Sequence, residues 1–164
     1  MQVHCESIAL DMPAWQLLDK PEVLSHTKIV HELDVFDARR DVLKMALSLG
    51  FRNDQAYSLV TAMTELGNNI VFHSVGGYLL LHAYYALHEL TGEQAIVALM
   101  LIAQDSGPGI ADIELAKQEG YSSINSMGCG LSGVFRLMDA CRIESFPSGT
   151  RVTATLYSAN GWER

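Results

Sequence analysis

Two apolar runs sit close together in mid-chain: GYLLLHAYYAL (77–87) and AIVALMLIA (95–103), separated only by HELTGEQ. So short a link has no room for the crossover that parallel neighbours need, and the pair predicts an antiparallel hairpin. The rest of the chain reads outward from that hairpin. Residues 28–36, KIVHELDVF, form a mixed apolar and polar strand candidate. Asp37 is placed to cap a helix running to Leu49, with Gly50 to end it. Asn53 or Asp54 caps a second helix reaching about His73. Its apolar positions Ala56, Leu59, Val60, Met63, Gly67 and Ile70 recur at three and four, as one buried face requires.

Beyond the hairpin a small helix is expected over 112–118, followed by a polar, Gly/Ser-rich stretch at 119–129. Leu131 to Ala140 read as a further helix, and CRIESF and TRVTATLY as two strands around the turn PSG. Residues 1–27, interrupted by Pro13 and Pro21, form an unassigned extension that packs as a short helix or an extra strand; 28–164 are expected to be one domain. The order implies an α+β fold: a mixed, mostly antiparallel sheet with helices on one face.

The 164 residues suit one domain with a sizeable core, and 49% hydrophobic against 18% charged residues excludes disorder. A net charge of -8 argues against nucleic acid or an anionic membrane as a general partner, since phosphate binding needs clustered cations. The three cysteines, Cys5, Cys129 and Cys141, form no CxxC pair and are odd in number, which favours a reducing compartment. The N-terminus lacks the pattern of a signal peptide and no apolar run approaches a membrane span, so a cytoplasmic protein is expected.

Three short motifs carry chemistry. In TELGNNI (64–70), Glu65 and Asn69 lie four apart and share one helical face, almost opposite the apolar stripe. They read either as a solvated pair or as a general base beside a ligand for Mg²⁺, a hard cation that takes few protein oxygens next to phosphate. In QDSGPGI (104–110), Asp105 is an acceptor at the mouth of a loop, and Gly107 and Gly109 let backbone pass close to a flat ring. A carboxylate there selects adenine, whose exocyclic amine is a donor where guanine has a carbonyl; an ordinary strand-ending turn is the alternative. In MGCGLSGVFRLMDA (127–140), Gly128, Gly130 and Gly133 crowd a helix start, which suits phosphate or simply close packing. It is neither a Walker A loop nor a Rossmann fingerprint. HELD (31–34) has the look of a histidine-kinase phosphoacceptor box, but it falls in the expected strand with no long helical hairpin before it.

In order and spacing these motifs resemble the GHKL ATP-binding (Bergerat) fold. ELGNN looks like the N box, DSGPGI the G1 box, GCGLSG the G2 box, and Gly149-Thr150 the GT element that follows. The likeness covers roughly residues 28–158 and is nearest to the RsbT-type switch kinases of bacterial partner-switching systems, a group that also includes anti-sigma regulatory factors. It implies a two-layer α/β sandwich and an ATP- and Mg²⁺-dependent protein serine/threonine kinase. Glu65 would be the catalytic base and Asn69 the Mg²⁺ ligand. Asp105, Gly107, Gly109, Ile110, Gly128, Gly130, Leu131, Ser132, Gly133 and Thr150 would line the nucleotide. The implied partner is a STAS-domain antagonist protein, with a sigma factor or a phosphatase as further candidates, for a monomer or homodimer. A nucleotide-dependent regulator that sequesters a sigma factor, and a scaffold that binds ATP without transferring it, share the same motifs.

Overall fold

The structure, a computed structural model, describes residues 14–116 and 130–159. The expected hairpin forms its centre: β3 (Gly77–His88) and β4 (Gln94–Asp105) pair antiparallel from Gly77↔Asp105 to Leu87↔Gln94. A bulge between Tyr84 and Tyr85 leaves Val97 without a register partner. Outward from β4 come β6 (Gly149–Tyr157) and then β5 (Ala140–Phe146). The other edge of β3 is shared by β1 (Trp15–Leu17), opposite His88 to Ala86, and β2 (Glu22–Ile29), opposite Ala83 to Gly77. Residues 15–29 thus make one broken edge strand, so a boundary at 27/28 falls inside β2. Every pairing among the described residues is antiparallel.

The helices α1 (Glu32–Ser48), α2 (Asn53–His73) and α4 (Gly130–Leu137) pack with one face of the sheet, and a single turn, α3 (Ile113–Ala116), follows β4. The stripe read from the sequence of α2 is buried throughout: Ala56, Leu59, Val60, Met63, Gly67 and Ile70. Each fully buried Leu, Met or Ile there contributes about 1.5–3 kcal/mol. It meets Leu79, Leu81, Leu99, Leu101, Val152 and Ala154 of the sheet. At the crossing of α1 and α2, a Cβ on Gly67 would lie 2.9 Å from both Val35 methyls, so the helices approach as closely as glycine allows. A second, smaller cluster of Tyr84, Ala86, Ala98, Met100 and Ile102 occupies the opposite sheet face, with Trp15 and Leu17 of β1 against it.

Two boundaries differ from the sequence reading. The strand expected over 28–36 ends at Ile29, and α1 begins at Glu32 rather than behind Asp37. The cause is Asp34: its Oδ2 accepts the backbone N–H groups of Val30 (2.8 Å) and His31 (2.9 Å) and closes the first turn. HELD is therefore a helix start. Val35, Ala38, Val42 and Ala46 then supply the helical stripe. At the other end α4 stops at Leu137. Asp139 is already tied to β6, its N–H donating to Thr155 O (2.9 Å) and its carboxylate accepting from Tyr157 N (2.8 Å). No helix among the described residues is long and apolar enough to cross a membrane.

Candidate nucleotide site

α2 carries Glu65 and, one turn on, Asn69, and both are half-buried rather than solvated. The sequence pattern places the pair almost opposite the apolar stripe, and on that side Glu65 meets the start of α4. The Gly130 backbone N–H, at the first residue of α4, donates to the Glu65 carboxylate. Burial raises the Glu65 carboxyl above the ordinary carboxylate range, and the Gly130 amide partly counters that rise. The carboxyl is thus more basic than a surface glutamate while still hydrogen-bonded in its ionised form.

The G1 turn is built at the end of β4. Asp105 Oδ1 accepts two backbone N–H groups, from Gly107 (2.7 Å) and from Thr150 (3.1 Å). Both bonds fall on one oxygen, so the side chain is held in one orientation and Oδ2 takes no hydrogen bond from the described residues. Gly107 lies against the end of α2: a Cβ there would sit 2.8 Å from His73 O and 3.1 Å from Asp105 Oδ1. Gly109 has φ +80, and a Cβ would run into Phe146 O, so this position excludes other residues twice over. Ile110 is bound to Ser145 of β5. The turn and α2 are also joined behind the site. Ser74 Oγ donates to Ile70 O (2.7 Å) and accepts from Gly76 N (3.0 Å), while Gly76 O accepts Ser106 N–H (3.2 Å).

Around α4, Leu131 is half-buried, and Ser132 and Gly133 are buried against the core. They seat the helix on the domain. A Cβ on Gly130, by contrast, would meet nothing within 4 Å among the described residues. Gly128 and Cys129 lie outside the described residues. Cys141 touches Val134 O through its thiol (3.7 Å), and burial pushes that thiol up to about 11, which makes it a packing group and not a nucleophile.

The structure therefore gathers the expected residues into two linked groups. Asp105, Gly107, Gly109, Ile110 and Thr150 form a rigid acceptor-bearing turn, and Glu65 with Gly130 forms a basic carboxyl beside a helix start. Asn69 shares the flank of α2 with Glu65. Sequence reasoning missed Ser74 and Ser145, polar residues whose role shows only through their hydrogen-bond partners. No cluster of three or more His, Cys, Asp or Glu side chains placed to hold a metal exists among the described residues.

No protein-family model matches the chain. It is 33% identical over 131 residues to the serine/threonine-protein kinase RsbT of Bacillus subtilis (strain 168), a match covering 79% of this chain and 93% of that protein. Its fold is similar to that in the crystal structure of the RsbU and RsbW domains of Rv1364c from Mycobacterium tuberculosis, with a TM-score of 0.50 and 18% identity. That likeness covers 82% of this chain and only 33% of the larger one. With N-, G1- and G2-type motifs in sequence order and a match across nearly the whole of RsbT, the chain belongs to the RsbT family of serine/threonine-protein kinases.

Proposed function

We propose that this kinase transfers the terminal phosphoryl group of Mg²⁺-bound ATP to a serine or threonine hydroxyl of a STAS-domain partner in a partner-switching pathway. The observation that carries the reading is the half-buried Glu65, made more basic by burial and hydrogen-bonded by the Gly130 amide at the start of α4. Asp105 supports ATP as donor, because its oriented carboxylate offers an acceptor to the adenine amine. Gly107 and Gly109 supply the close-lying backbone that a flat ring needs. Asn69 suits a Mg²⁺ ion held mostly by phosphate oxygens and water. Mg²⁺-bound ATP supplies the phosphoryl group and offsets part of the negative charge that builds during transfer.

The chain's own residues do the rest. Asp105 and its turn orient the base, and the α4 amides face the phosphates. Glu65 accepts the proton of the acceptor hydroxyl as its oxygen bonds to phosphorus and the bond to the departing ADP oxygen breaks. Incubation of the purified protein with labelled ATP, Mg²⁺ and a STAS-domain partner tests the reading. Label should appear on the partner and vanish when its acceptor serine or threonine is replaced by alanine. Wild-type protein that binds ATP, labels no such partner and instead retains a sigma factor would replace transfer with sequestration.

A further inference from the structure

The G1 turn is clamped at both ends by a single rung of the β5–β6 ladder. Ser145 and Thr150 are register partners across that ladder. Thr150 N–H holds the first residue of the turn through Asp105 Oδ1 (3.1 Å). Ser145 Oγ holds the last: it accepts Ile110 N–H at 2.7 Å and donates to Ile110 O at 3.3 Å. Between these points Gly109 is wedged against Ser145 Oγ and Phe146 O. The Thr150 bond uses backbone and survives substitution. The Ser145 bonds use a hydroxyl, and among the described residues this is the only side chain that fixes the far end of the turn.

The geometry points to Ser145 as a positioning residue for nucleotide binding: its hydroxyl sets where Gly109 and Ile110 stand, and so how closely the turn meets the base. This rests on the ATP-binding reading above. The Ser145 hydroxyl bonds only to Ile110 among the described residues, and neither α2 nor α4 is tied to it. Its loss therefore removes no hydrogen bond to α2 or α4, which carry the proton-accepting side of the site.

The test measures ATP affinity by calorimetry, KM and kcat by labelled transfer, and the melting temperature without nucleotide, for wild type, Ser145→Ala and Ser145→Thr. Ser145→Ala should raise Kd and KM for ATP by roughly tenfold, the scale of one to two ordinary hydrogen bonds. The kcat at saturating ATP should stay within about twofold and the melting temperature should hold. Ser145→Thr, which keeps the hydroxyl, should restore most of the affinity. Equal ATP affinity in wild type and Ser145→Ala overturns the assignment and leaves the kinase reading standing. A fall in kcat and melting temperature alongside affinity, unrescued by threonine, also overturns it by making the role structural. Wild-type protein without ATP affinity removes both readings together.

Discussion

A carboxylate has two oxygens, and at Asp105 they have different tasks. Oδ1 is occupied by the Gly107 and Thr150 N–H groups, and in the proposed complex Oδ2 is the oxygen offered to the adenine amine. Asp105→Asn cannot reproduce this. An amide that keeps its oxygen on the two backbone donors must point its NH₂ at the adenine amine, donor against donor, and the reverse orientation opposes Gly107 and Thr150 instead. ATP affinity should fall by roughly 10- to 100-fold, the scale of a charge-assisted hydrogen bond and its desolvation, with the fold retained. Calorimetry giving the same ATP affinity for both proteins would place the base elsewhere. The acid itself was legible in the sequence from its place between an apolar strand and GPG. Ser74 and Ser145 were not, because a serine at a helix end or in an edge strand has no local signature.

At the scale of elements, the hairpin and α2 were legible for opposite reasons. β3 and β4 are long and continuously apolar, and α2 carries an uninterrupted three-and-four stripe; neither pattern fits the other period. KIVHELDVF was ambiguous because Ile29, Val30, Val35 and Phe36 suit both a strand and a helix. The ambiguity is settled by one cap that competes with the alternative at Asp37. Backbone N–H groups of His31 and Val30 hold the exposed Asp34 carboxyl below its ordinary value of 3.8. Its folded value is depressed, so its contribution is fully present above 3.8 and is lost as pH falls through the lower folded value. Asp34→Ala should therefore lower the melting temperature by a few degrees at neutral pH. The difference from wild type should close only in strong acid, and thermal melts across pH check it. An equal melting temperature at neutral pH would show that α1 starts without that cap. Residues 1–27 read as either a short helix or an extra strand because Pro13 and Pro21 disrupt the alternation; from Trp15 on the structure shows the strand, whose partners lie far away on β3.

For the molecule as a whole, one antiparallel sheet and its helices hold two chemically different groups. β4 and the β5–β6 hairpin fix the Asp105 turn, while α4 fixes Glu65 on the flank of α2. In the proposed reaction, binding and transfer are therefore separable, and Glu65 is where they separate. Burial raises its carboxyl above the ordinary 4.5, and only the ionised form can accept a proton. Activity should thus rise with pH through that raised value, and on acidification it should be lost earlier than an ordinary carboxylate would dictate. The most direct measurement pairs ATP calorimetry with labelled transfer for wild type and Glu65→Gln. Glutamine keeps the size and the contact with Gly130 N–H but removes the basic oxygen. ATP affinity should change little, and transfer should fall by roughly two to four orders of magnitude with its acid-side pH dependence abolished. Transfer at the wild-type rate by Glu65→Gln, with the wild-type pH profile intact, would contradict the assignment of the base.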